Sequence, residues 1–319
     1  MKLGLETECY HLLFQHKRMD IFDFIEQTAR LGLDGVEINI IPDYNLHPEF
    51  GVLDSDDPIY LARIKEAIQS RNLYCELDTK GTDKVSLTKA IEFAVAIGAD
   101  VIRTYIPVDQ FDPKNMQPTI DGIKQIIPLL KKYRIKLALE NHELETSDDI
   151  IHVVKAVDSL WFGAHYDCGN SMMVWEDPVE AAKKMAPYTY CTHFKDHIVT
   201  KHNDELVICG VPIGEGSIDI DECFRILVEN APITRINIES CHPYCARFTR
   251  ERGAGGVFEL NGAFELKKPL FDPELIKPME YYHPHNISQQ AVDLLIDAQI
   301  EGVKRSVAFM KKIRNKYCQ

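Results

Sequence analysis

Short apolar runs rich in β-branched residues recur about eight times along the chain, separated by longer stretches whose apolar residues keep helical spacing. The runs predict strands at residues 2–6, 34–40, 74–78, 101–106, 136–140, 162–167, 190–194 and 235–239. Between them, helical patterns lie near residues 20–32, 57–71, 84–98, 117–133, 147–157, 177–186 and 219–229. A last helix is expected over residues 288–316, where Leu294, Leu295, Ala298, Val303, Val307 and Met310 keep helical spacing. Strands alternating with helices of this length imply βαβ units and a parallel sheet. Eight such units predict an α/β fold, a closed (β/α)8 TIM barrel in one domain over residues 1–319. No Gly-x-Gly-x-x-Gly follows the first strand, so no nucleotide cofactor is expected.

The rhythm breaks once. Residues 240–287, between the eighth strand and the last helix, are rich in Gly, Pro, aromatic and basic residues, among them Arg247, Arg250, Arg252 and Lys267. So long an insertion reads as a lid, a binding loop or a partner surface, with a solvated loop of no function as the plain alternative. It follows strand eight and so belongs at the mouth of the barrel. Its Phe248, Phe258, Phe264, Tyr281 and Tyr282 would stack on a flat ligand or bury against a second chain. A partner chain or self-association is expected to order the segment.

Composition narrows the function. The 319 residues are 45% hydrophobic and 27% charged, with a formal charge of −13. That balance opposes a protein that wraps nucleic acid, and more weakly an anionic membrane partner. No apolar run approaches the ~20 residues that span a bilayer. The opening Met1-Lys2-Leu3-Gly4-Leu5-Glu6 lacks the apolar core of a secretory leader. Nine scattered cysteines read as reduced thiols. The expectation is a soluble cytoplasmic protein.

Four successive strands end in residues able to bind a metal: Glu140, Asp167, His193 and Glu239. In a barrel the C-terminal strand ends share one mouth, so these side chains would converge. Three carboxylates and an imidazole suit one hard or borderline divalent ion, Mn²⁺ first, then Mg²⁺ or Co²⁺. Zinc is less favoured by a sulfur-free set. His142 stands two residues beyond Glu140, on the same side of an extended strand, and is the candidate base; a second-shell loop histidine is its plainer reading. Lys195 would hold a sugar oxygen or an anion, or else pair with Asp196. Glu37, Asn170, Asp196 and Glu215 complete the candidate substrate contacts, with a structural polar contact the plainer reading of Glu37 and loop shaping that of Gly214-Glu215-Gly216. His165 reads as a satisfied interior histidine. Cys241-His242-Pro243-Tyr244-Cys245 with His283 and His285 fits no familiar zinc spacing.

Taken together, Glu140-Asn141-His142-Glu143, Asp167-Cys168-Gly169-Asn170, His193-Phe194-Lys195-Asp196, Gly214-Glu215-Gly216 and Ile238-Glu239 resemble the xylose-isomerase-like barrel superfamily over almost the whole chain. The resemblance implies a barrel with one catalytic divalent ion on Glu140, Asp167, His193 and Glu239. It also implies a substrate among sugars, since the superfamily holds sugar isomerases, ketose 3-epimerases and inosose dehydratases. The opening Gly4-Leu5-Glu6-Thr7-Glu8-Cys9-Tyr10-His11, the Glu140-Asn141-His142-Glu143 run and the long insertion look like the catalytic α subunit of C-glycoside deglycosidases. Those enzymes cleave the carbon–carbon bond between a 3-oxo-sugar and an aromatic aglycone, and they pair with a small β-rich subunit. Thr146, Asn170 and Val199 stand where ketose 3-epimerases usually carry Glu, His and Arg. The expected reaction is therefore a metal-dependent lyase step that begins by removing a proton next to a sugar carbonyl. A ketose or sugar-phosphate isomerase or epimerase, or an inosose-type dehydratase, is the alternative. A metal-dependent endonuclease would share the barrel but is opposed by the acidic charge.

Overall fold

Alternation with period two decides which way each barrel strand faces. In β1 (Lys2–Glu6), β2 (Gly35–Asn39), β3 (Tyr74–Asp78), β4 (Val101–Thr104) and β5 (Lys136–Glu140), leucine, isoleucine and valine occupy the outward positions. Leu3, Leu5, Val36, Ile38, Leu77, Leu137 and Leu139 join the main hydrophobic core with the surrounding helices. The inward positions carry polar groups, Glu6, Glu37, Glu76, Asp78, Arg103 and Glu140, all buried, beside a small apolar cluster of Val101, Ala138 and Cys191. The pattern continues through β6 (Phe162–Asp167) and β7 (Thr189–Phe194). The computed structural model describes residues 1–41, 52–242, 244–269 and 287–318.

These seven strands close with β10 (Arg235–Ile238) into an eight-stranded parallel barrel, in the order β1-β10-β7-β6-β5-β4-β3-β2. Eight helices ring it: α1 (Ile21–Arg30), α2 (Pro58–Gln69), α3 (Lys84–Ile97), α4 (Gln117–Tyr133), α5 (Ser147–Val157), α6 (Pro178–Met185), α7 (Ile220–Asn230) and α8 (Gln289–Tyr317). Their starts are chemically marked. Asp20, Asp57, Asp83, Thr146, Asp177, Asp219 and Ser288 each accept a backbone N–H that the helix cannot satisfy itself. Thr146, one of the departures from the epimerase pattern, thus serves as a helix cap. No helix among the described residues is long and apolar enough to cross a membrane.

The stretch after β7, expected to be loop and turn, is instead an antiparallel hairpin, β8 (Asp196–His202) and β9 (Glu205–Val211). Its two-residue turn places Asn203 at φ 48° and Asp204 at φ 63°, the left-handed pair that matches strand twist. The insertion adds β11 (Tyr244–Arg247), pairing antiparallel with β9 and completing a three-stranded sheet.

The insertion's described part, residues 244–269, packs on its own barrel. Trp175 stacks on Phe248 at 3.9 Å and on Phe264 at 5.5 Å. Backbone bonds run from Val257 to the Trp175 carbonyl and from Lys267 to the Val199 carbonyl, each 2.9 Å. Residues 244–269 thus make contacts of their own with the barrel. The packing also redirects two of the insertion's aromatics: Phe248 and Phe264 face Trp175, while Phe258 is 63% exposed. Tyr281, Tyr282, Pro243, His283 and His285 lie outside the described residues.

Candidate metal centre and active-site cavity

The strands bring Glu140, Asp167, His193 and Glu239 together, with one ligand atom from each within 4.8 Å of the others. His193 Nδ1 lies 2.7 Å from Glu239 Oε2, 3.3 Å from Glu140 Oε1 and 3.7 Å from Asp167 Oδ2. All four side chains are buried, and His193 Nδ1 makes no hydrogen bond among the described residues. Three carboxylates crowded out of water are costly unless positive charge compensates them. Lys195 supplies part of it, its Nζ 2.9 Å from Asp167 and 2.8 Å from Glu239. Gly169 makes the passage for that side chain: a β-carbon there would come within 2.5 Å of Lys195 Cγ. The buried oxygens and the open imidazole nitrogen fit a divalent cation.

Electrostatics of the cluster follow from burial and proximity. Burial pushes the Glu140 carboxyl up to about 7, although the Arg103 guanidinium pulls it down. Burial acts the same way on Glu239, but the His193 and Lys195 charges overcome it and hold that carboxyl well below its usual range. His193 is driven well above the ordinary imidazole value; burial opposes this, and Glu239 and Glu37 win. A cation taken up by these groups would compete with a proton on His193.

Glu37 stands behind His193 rather than in the cavity. Its Oε2 is 3.1 Å from His193 Nε2 and accepts a 2.6 Å bond from Asn237. Such a carboxylate fixes the ring so that Nδ1 faces the site; Glu37 makes a structural polar contact and does not line the cavity. Asp196 and Glu215 do not line the cavity either. The Asp196 carboxylate accepts backbone N–H groups of Gly214, Gly216, Ile218 and His197 at 2.9–3.2 Å, holding the loop after β9. Glu215 pairs with Arg305 at 2.6 Å. Asn170 does reach the site, its Nδ2 3.4 Å from Glu140 Oε1. His165 is fully buried, edge-on to His193 at 4.1 Å, and neither ring nitrogen is hydrogen-bonded within the described residues. Its Nε2 lies 3.6 Å from Glu140 Oε1, so this interior histidine borders the cluster.

His142 lines the mouth. Its ring stacks on Tyr105 at 3.8 Å, and its backbone N–H donates to buried Glu145 at 3.0 Å. Burial, helped by the Arg103 and Lys195 charges, lowers its pKa well below the ordinary value and keeps the ring neutral. The sequence reading missed Arg103, which pairs with both Asp78 and Glu140 inside the barrel. An arginine at an inward position of the buried run Val101-Ile102-Arg103-Thr104 was the available signal. It also missed Glu8, at the same mouth, whose carboxyl burial pushes up to about 8.

These groups open into a cavity of about 990 Å³. Lys195, His142, Asn170 and Glu239 contribute polar wall. Val207, Tyr244, Ala246 and Phe248, from the three-stranded sheet and the residue after it, contribute an apolar stretch of wall, bordered by His202, Arg247 and Thr249.

The xylose isomerase-like TIM barrel family matches residues 25–254. A 3-oxo-isoapionate decarboxylase of Pectobacterium atrosepticum is 25% identical over 239 residues, covering 72% of this chain and 82% of its own length. An L-ribulose-5-phosphate 3-epimerase, UlaE of Salmonella paratyphi A, is 25% identical over 57% of this chain and 61% of its own. The crystal structure of IOLI protein with a binding zinc atom superposes with a TM-score of 0.63 at 15% identity, over 99% of both chains.

Proposed function

The chain belongs to the xylose isomerase-like TIM-barrel family, and from that premise we propose a divalent-metal-dependent carbohydrate lyase. Its reaction removes the proton next to a sugar ketone and then cleaves the carbon–carbon bond of a 3-oxo-C-glycoside. The observation that carries this reading is the two-walled cavity: about 990 Å³, polar beside the ligand cluster and apolar along the sheet. That volume lies at the upper end of what buries a drug-sized ligand, beyond the needs of one sugar ring. A decarboxylase relative named for a 3-oxo substrate supports cleavage of a carbon–carbon bond near a ketone.

A divalent ion on Glu140, Asp167, His193 and Glu239, Mn²⁺ in our reading, would stabilise the negative charge that develops on the ketone oxygen. His142, neutral and stacked on Tyr105, takes the proton from C2. Lys195 balances the ligand carboxylates and offers an ammonium to a sugar oxygen. Asn170, on the same polar wall, hydrogen-bonds a sugar hydroxyl. A small second subunit covers the remaining mouth, and nine free thiols support a reducing, cytoplasmic setting.

The test offers the Mn²⁺-loaded protein a 3-oxo-C-aryl glucoside, free ketoses and ketose phosphates, with and without the small proteins encoded beside it. Mass spectrometry should find the free arene and an unsaturated sugar ketone. Epimerised ketose with no released arene would replace the lyase by an isomerase.

A further inference from the structure

Elimination of an aryl group needs two proton transfers, one off C2 and one onto the departing carbon. His142 accounts for the first. We propose that Glu143 is the acid for the second, held in place by Tyr244 and Thr249 of the insertion; the assignment rests on the lyase reading above.

The backbone carries the argument. Beyond β5 the chain turns: the Leu144 N–H donates to the His142 carbonyl at 2.7 Å, closing a three-residue turn around Glu143. Glu143 at its centre has φ 59°, in the left-handed region that a β-carbon disfavours. With that twist both side chains line the same cavity. Strain of this kind persists only when neighbours over-determine it. Here the Thr249 hydroxyl donates to the Glu143 carbonyl, and the Tyr244 hydroxyl donates to Glu143 Oε1 at 2.7 Å. Arg250 adds a 3.0 Å ion pair with Asp149, one turn into the next helix. Among the described residues, Glu143 Oε2 has no hydrogen-bond partner.

Burial is the largest influence on this carboxyl and raises its pKa, although the Tyr244 bond works against it. A protonated Oε2 is what an acid requires. Lys195 is a poorer candidate because its ammonium already sits between Asp167 and Glu239.

The step balances without a co-reactant. The C2–H bond breaks and its proton goes to His142. A C1–C2 double bond forms as the C1–aryl bond breaks. The aryl carbon takes that bond's electron pair and the Glu143 proton, leaving as the free arene. Tyr244 then steadies the new carboxylate through the bond it already makes. Solvent returns one proton to Glu143 as His142 releases the other.

Glu143→Gln keeps the size and the Tyr244 acceptor but has no acidic proton. It is compared with the parent on a 3-oxo-C-aryl glucoside and on 3-oxo-4-nitrophenyl glucoside, whose phenolate departs without protonation. The C-aryl rate should fall at least about a hundredfold further than the nitrophenyl rate, the range expected when a general acid is lost. Tyr244→Phe should show the same bias, more weakly. Deuterium exchange at C2 of 1,5-anhydro-3-oxo-glucitol, which has no leaving group, should persist in both variants and report an intact fold and base. Equal slowing of the two glucosides, or no slowing of either, overturns the acid assignment alone. A parent that exchanges C2 deuterium yet releases neither aglycone overturns the lyase reading together with it.

Discussion

The two faces of the same eight strands have opposite chemistry. Outward, toward the helices, stand residues such as Leu5, Ile38, Leu77 and Leu139, packed into one continuous apolar layer. Inward stand Glu37, Glu76, Arg103, Glu140, His165, Cys191, His193 and Asn237, almost wholly withdrawn from water. Barrel interiors are commonly filled by branched aliphatic side chains. This one is filled by groups that must satisfy one another, as when Asn237 Nδ2 bridges Glu37 and Glu76 at 2.6 Å each. The shell supplies the stability that a polar lumen cannot, and the lumen supplies the positioned charge that a shell cannot.

The contrast breaks if substitutions on either face act alike. The largest effect is expected inside. Glu239→Gln removes one ligand charge at constant size and should lower turnover by on the order of a thousandfold, or about 4 kcal/mol of barrier. Its circular dichroism and melting temperature should stay close to the parent's. Undiminished turnover after chelator treatment and reloading would remove Glu239 from the centre. Leu139→Ala, one residue before Glu140 but facing out, should instead lose about 2–5 kcal/mol of stability in urea unfolding. Metal stoichiometry in that variant should stay at one per chain; loss of the metal would mean the two faces are not separable. The smallest effect is expected from Glu37→Gln, behind His193. Metal affinity should weaken by about 10–100-fold, read by competition with a chelating dye. An unchanged affinity would make Glu37 mere filling.

The shell was easier to read than the lumen because it is written locally. Period-two and helical spacings, with Asp or Thr at most helix starts, mark the barrel strands and the eight outer helices. The ligands were legible too, as polar residues closing apolar strands. The β8–β9 hairpin was overlooked although Asn203-Asp204 between two β-rich runs is a hairpin signal, because the βα rhythm left that interval as connection. Arg103 pairs with a residue 37 positions away and Tyr244 with one 101 away. Such contacts have no spacing to reveal them; only the closed barrel brings them together. Asp196 misled for the converse reason. Its place beside Lys195 suggested substrate, while its carboxylate is occupied by backbone N–H groups that no pattern displays.

The three-stranded sheet that walls the cavity has a consequence for how the molecule opens. Its third strand, β11, lies at the sheet's edge, bonded in that sheet to β9 alone. Such an edge opens as a local unit that leaves the barrel standing. Amide exchange should find β11 and the residues after it opening on their own, well before the barrel strands. The same lifting of one strand would widen the cavity that its Tyr244 and Ala246 line.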